Sequence, residues 1–117
     1  MVEEIIIMEK IYPETAFPFK EIIKTVEKSI TAGQNTNGLE AILDLENRRE
    51  FSIYVDLPND DSSELWIYLS NDGVNWEVFK ATSFKRRYFK VFKTLFRYVR
   101  VYIPRTEIDI KIKIGAR

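Results

Sequence analysis

The chain predicts an all-β fold, an antiparallel β-sandwich, on three observations. Apolar side chains recur at every second position, in runs of roughly five to eight residues that repeat every ten or so, and Gly, Pro, Asn and Asp punctuate the gaps. Alternation of this kind puts one face of each strand into a core and the other into water. At 117 residues the chain fits a single domain, 1–117, able to close one core.

Taken in order, Glu3–Lys10 is rich in β-branched residues and reads as a strand or an arm, so 1–25 is assigned to an N-terminal arm or edge segment. Pro13 and Pro18 bracket a short stretch that cannot hold regular structure for long. Lys20–Ile30 supports two readings. Ile22, Ile23, Val26 and Ile30 fall at helical spacing, which leaves a short N-terminal helix open, whereas Thr25–Ile30 also suits an edge strand; we read strand from about Val26. Ala32–Gly38 is turn chemistry. Leu39–Leu45 alternates Leu39, Ala41, Leu43 and Leu45 against polar positions, and Phe51–Leu57 does the same after a charged turn at Asn47–Glu50.

Pro58–Ser63 closes that strand with a polar loop. Leu65–Leu69 then points Leu65, Ile67 and Leu69 one way and Trp66 and Tyr68 the other. Asn71-Asp72-Gly73 supplies the residues of a tight hairpin, and Trp76–Phe79 returns from it, with Trp76 expected to offer its ring to the core. Thr82–Lys93 is the least regular part of the second half. Arg97–Ile103 sets Val99, Val101 and Ile103 against Tyr98, Arg100 and Tyr102. After the Pro104 turn, the last strand alternates Ile108, Ile110, Ile112 and Ile114 with charged residues.

Composition narrows the function. The chain has no cysteine, which excludes disulfides, thiol catalysis and Cys-based zinc sites, and no histidine, which removes the commonest general base and metal ligand. No catalytic residue, metal or cofactor is assigned. Asn59–Glu64 is rich in oxygen ligands but lacks the spacing of a calcium loop and reads as a solvated turn. The apolar run Ile5–Met8 is too short to span a membrane, and Glu3 and Glu4 precede it where a signal peptide carries positive charge. The expected location is therefore cytoplasmic or in a virion, with no membrane partner.

A net charge of zero hides a division along the chain: residues 1–79 carry 6 basic and 16 acidic side chains, residues 80–117 carry 12 and 2. Either acidic and basic strands alternate in the sheets and pair, or the surface is bipolar and favours head-to-tail association or an anionic partner.

Three pieces together resemble the discoidin-like, or galactose-binding-like, β-sandwich, the jelly-roll fold of coagulation factor C-type domains and many carbohydrate-binding modules. They are Leu65-Trp66-Ile67-Tyr68-Leu69-Ser70-Asn71-Asp72-Gly73-Val74-Asn75-Trp76, then Phe96-Arg97-Tyr98-Val99-Arg100-Val101, and the closing strand at Ile108–Ile114. A similar order occurs in short β-sandwich proteins of phage and virus particles, where a turn like Ala32-Gly33-Gln34-Asn35-Thr36 precedes it. The likeness covers about Ala32 to Ala116. The chain departs from the factor-type pattern in lacking its paired cysteines and calcium loop, so no binding residue carries over.

Three roles follow as expectations. The first is a non-catalytic structural or assembly module, forming a homo-oligomer or joining another structural protein as a virion or tail component. The second is glycan binding on exposed Trp66, Tyr68, Tyr98 and Tyr102, should they share a face. The third is single-stranded nucleic-acid binding by the basic and aromatic stretch 80–105, with Arg86, Arg87 and Arg100 among its cations; there Phe84, Phe89, Phe92 and Phe96 could equally belong to the core.

Overall fold

The computed structural model describes residues 24–32 and 37–117. It contains eight strands: β1 (Lys24–Ile30), β2 (Leu39–Asp44), β3 (Glu50–Asp56), β4 (Ser62–Ser70), β5 (Glu77–Lys85), β6 (Arg87–Lys93), β7 (Tyr98–Ile103) and β8 (Ile110–Ala116). They form two four-stranded sheets, ordered β1-β8-β3-β6 and β2-β7-β4-β5, antiparallel throughout. The chain is thus an all-β sandwich. The strand or arm expected at 3–10 lies outside the described residues, as does most of 1–25. Within Lys24–Ile30 the choice between helix and strand resolves to strand, beginning two residues before Val26.

The alternation seen in the sequence becomes the core. Phe51, Ile53 and Val55 of β3 and Ile110, Ile112 and Ile114 of β8 face Leu65, Ile67 and Leu69 of β4 and Val99, Val101 and Ile103 of β7, all buried. These four strands occupy the middle of their sheets, so each inward side chain has neighbours on both sides and across the gap. Burying one such side chain is worth about 1.5–3 kcal/mol.

The edges differ from the centre. β1 and β2 flank one side of the sandwich; β5 and β6 flank the other. The stretch Thr82–Lys93, read as the least regular part of the second half, forms the end of β5 and all of β6, in different sheets. The chain changes sheet at Arg86, which takes φ +66°. Its N–H donates to Asp61 O and its carbonyl accepts from Leu57 N, both at 2.7 Å, so the strained backbone is held from two sides. A bulge opposite Ile67 and Tyr68 leaves Phe79 outside the β4–β5 register, and its ring meets Phe92 of β6 edge-on at 5.3 Å. Phe92 in turn packs on Phe51 at 5.4 Å. Of the four phenylalanines whose place was open, Phe84, Phe92 and Phe96 pack partly buried against the core, whereas Phe89 is 64% exposed.

The topology also decides how charge is distributed. Arg97 pairs with Asp44, Arg87 with Asp56, Arg100 with Glu40, Lys111 with Glu27 and Arg117 with Glu50. Each pair joins a base from the second half of the chain to an acid from the first. The sequence halves are interleaved, and these pairs neutralise five of the twelve bases of residues 80–117.

The core assignment is tested by Ile112→Ala, expected to cost about 2–5 kcal/mol in urea unfolding because it removes a central buried side chain. Phe89→Ala, on the surface, is expected to change stability by less than about 0.5 kcal/mol. Equal losses from the two would contradict the burial described.

Candidate functional site

The outer face of the sheet β2-β7-β4-β5 gathers most of the aromatic residues singled out in the sequence. Register sets Glu40, Tyr102, Trp66 and Ala81 in one row, Ile42, Arg100, Tyr68 and Val78 in the next, and Asp44, Tyr98 and Ser70 in a third. Because these positions alternate with the core residues of the same strands, burial of the core forces them outward. Trp66 and Tyr68, two apart on β4, lie nearly parallel, with ring centres 6.4 Å apart and planes inclined by 14°. The Tyr102 hydroxyl donates to Asn37 O at 3.0 Å, fixing that ring at the margin.

Arg100 sits in the middle. Its guanidinium carbon lies 4.6 Å from the centre of the Tyr68 ring and 5.5 Å from that of Trp76. Its Nε is buried without a hydrogen bond, and Glu40 Oε2 stands 3.5 Å away as an ionic partner. The cation is thus held between ring faces and the Glu40 carboxylate, each ring contact worth about 0.5–2 kcal/mol. Beside it, Arg97 makes two 2.9 Å bonds to the Asp44 carboxylate. That hydrogen-bonded pairing holds Asp44 down to about 2 and raises Arg97 further.

Trp76 is a correction. It was expected in the core, but it lies half-buried on this outer face, edge-on to Tyr98 at 6.5 Å. Leu69 faces inward and pairs with Glu77, so the residue before Glu77 falls in the outward row beside Ser70. Counting along the hairpin could have found this.

The loop that carries Trp76 there runs over six residues, 71–76, longer than a tight two-residue turn. Buried Ser70 accepts from the N–H groups of Asp72 and Gly73 and donates to Asp72 Oδ1. Asp72 accepts from Val74 N, Asn75 N and Asn75 Nδ2, each at 2.8 Å. Those backbone and side-chain donors hold its carboxyl well below the usual carboxylate range. Gly73 takes φ +77°, a backbone that side chains rarely adopt, and lies within van der Waals reach of the Tyr98 ring. The Ser-x-Asp-Gly-x-x-Trp pattern is therefore a scaffold that folds the loop over Tyr98 and delivers Trp76 to Arg100.

Of the residues singled out, Trp66, Tyr68, Tyr98, Arg100 and Tyr102 come together on this face. Arg86 and Arg87 do not: they stand at the corner between β5 and β6. Ile42 and Val78, exposed on the face, were not singled out, although their places in the alternation marked them. Concave regions lie elsewhere: an open trough of about 720 Å³ on the outer face of the sheet β1-β8-β3-β6, with Ser52 and Gly115 among its lining and Tyr54, Phe89, Val91 and Lys113 around them, and a second of about 410 Å³ beside Ser29, Pro58 and Asp109. Among the described residues, no group of three metal-ligating acidic side chains occurs, and no helix is long and apolar enough to cross a membrane.

The loop's role has a pH signature. Asp72 has a depressed folded-state pKa, so its stabilisation is complete above the ordinary aspartate value near 4 and is lost as pH falls through the lower folded value. Asp72→Ala is expected to lower the unfolding temperature at neutral pH, and the gap from the parent should narrow steadily in acid. A gap that stays constant down to about pH 2 would contradict this.

No protein-family model matches the chain, and no curated protein sequence matches it. Solved structures do. The SPBc2 prophage-derived protein YomS aligns over 80% of this chain and 94% of its own, at TM-score 0.56 and 12% identity. The CBM32 module of AlyQ, solved in complex with 4,5-unsaturated mannuronic acid, aligns over 78% and 76%, at TM-score 0.50 and 15% identity. The K3 adhesin domain of Lys-gingipain from Porphyromonas gingivalis aligns over 80% and 72%, at TM-score 0.52 and 15% identity. At these identities the likeness is one of fold: the chain has the galactose-binding-like β-sandwich that its sequence resembles.

Proposed function

We propose that this chain is a non-catalytic assembly module that associates with further copies of itself through the aromatic face of the sheet β2-β7-β4-β5. One observation carries the reading: Trp66, Tyr68, Trp76, Tyr98 and Tyr102 gather on one outward sheet face, where Arg100 lies against Tyr68 and Trp76 and Arg97 against Tyr98. Trp, Tyr and Arg are the residues that concentrate binding energy at interface centres. The rings are already half-buried against one another, so docking would cost little additional side-chain entropy. Charge on the face is balanced, with Glu40 and Asp44 against Arg97 and Arg100, so two copies can meet without like-charge repulsion. The occurrence of the same fold in a prophage-derived protein of similar extent supports a part in a virion or tail particle.

Light scattering across a wide concentration range is expected to give a defined homo-oligomer. The double variant Trp66→Ala/Arg100→Ala should weaken association at least about tenfold, equivalent to roughly 1.4 kcal/mol, while leaving the β-sheet spectrum intact. A parent protein that stays monomeric at high concentration would overturn the reading.

The near-parallel Trp66 and Tyr68 rings favour one second reading, a platform for sugar rings. The same fold in a module solved with an unsaturated mannuronic acid supports it. A glycan array should then return a ligand whose binding disappears in Trp66→Ala; a silent array removes this reading.

A further inference from the structure

The flank where β5 and β6 meet is unlike any other surface of the described molecule. Lys80 and Lys85 on β5, Arg86 at the corner, and Arg87, Lys90 and Lys93 on β6 are all exposed. Arg87 pairs with Asp56 at 3.3 Å. Among the described residues, the other five have no acidic partner within ion-pair distance. Ion pairs between the sequence halves hold Arg97, Arg100, Lys111 and Arg117 elsewhere, but β6 and β5 from Lys80 onward come from the basic part of the chain and lie side by side at the open edge. Lys80 and Lys90 stand opposite the inward residues Ile67 and Ile53 yet remain exposed, which requires their stems to run outward over the rim.

Apolar surface is set among these charges. Phe89 is 64% and Val91 50% exposed, both on the outer face of β6 between Arg87 and Lys93. Both line the open trough of about 720 Å³, and the trough also holds Lys113. Like charges on the flank oppose its pairing with a second copy of the chain. An acidic peptide would satisfy the cations but would leave the Phe89 ring and the trough beside it without a flat partner.

We infer that the β5–β6 flank binds single-stranded nucleic acid, its phosphates following Lys80, Lys85, Arg86, Lys90 and Lys93 while unpaired bases stack on Phe89 and enter the adjoining trough. Cations neutralise the backbone and release its counterions, and an aromatic face accepts any base. A duplex keeps its base faces stacked away from such a ring, so the unpaired strand is the form that fits.

Fluorescence anisotropy with a labelled oligothymidylate at low salt tests this on the full chain. Binding is expected, with a slope of log affinity against log salt of about −3.5 if five phosphates are neutralised. Lys85→Glu/Lys90→Glu should weaken binding more than about tenfold and reduce the magnitude of the slope by about 1.4, the value for two lost contacts. Phe89→Ala should weaken binding with the slope unchanged, since a stacking contact releases no ions. An unaltered urea midpoint in each variant confirms that the fold persists. Absence of binding at low salt would overturn the inference. So would affinity indifferent to Phe89 and matched by a duplex or a polyglutamate chain, which would make the flank a surface for any polyanion.

Discussion

The closed core between β3 and β8 on one side and β4 and β7 on the other is the constraint on which everything else depends. Its inward residues are buried along four central strands, and a strand cannot bury one set of alternate side chains without presenting the other. The aromatic face is the mirror of that burial. Leu65, Ile67 and Leu69 hold β4 in register, so Trp66 and Tyr68 have no freedom to turn inward. A one-residue slip would exchange the two sets, exposing the core and burying the rings. The position of each candidate contact residue on this sheet is thus a consequence of packing elsewhere.

Two local devices shape the surface that this constraint leaves open. The Ser70–Asp72 network folds the β4–β5 loop back on Tyr98 and so adds a second tryptophan to the face. The left-handed backbone at Arg86 carries the chain from one sheet to the other and brings two edge strands together as one flank. The surfaces they create differ in chemistry. The face is aromatic with balanced charge, which suits self-association. The flank is cationic and repels its own kind, which suits an anionic partner. A module with both could assemble and engage a strand at once, because the aromatic face centres on β4 and β7 and the flank on the rim beside β6, with β5 alone belonging to both.

Much of the fold was legible in the sequence because a period of two leaves no ambiguity where one face is fully buried. The strands at Leu39–Leu45, Phe51–Leu57 and Arg97–Ile103 lie within a residue of β2, β3 and β7, and Leu65–Leu69 falls inside β4, which begins three residues earlier. The edge strands β5 and β6 were harder than the edge strand β2. β5 and β6 expose nearly every residue, so no alternation in hydrophobicity marks them, and Thr82–Lys93 looked the least regular part of the second half. Trp76 was misplaced because size alone argued for burial, whereas the loop's hydrogen bonds decide its direction. The candidate site was partly readable: five of its residues followed from strand parity, while the split that sends Arg86 and Arg87 to another surface depends on which sheet each strand joins. That is a property of three-dimensional pairing, which local pattern does not encode.

Both tryptophans of the chain lie on the proposed contact face, which gives the account a direct optical readout. Acrylamide quenching of their fluorescence should be followed from dilute to concentrated solution, alongside particle mass. The account predicts that quencher access to Trp66 and Trp76 falls as mass rises, since association covers that face. Rising mass with unchanged access would show that copies meet through some other surface and would contradict it.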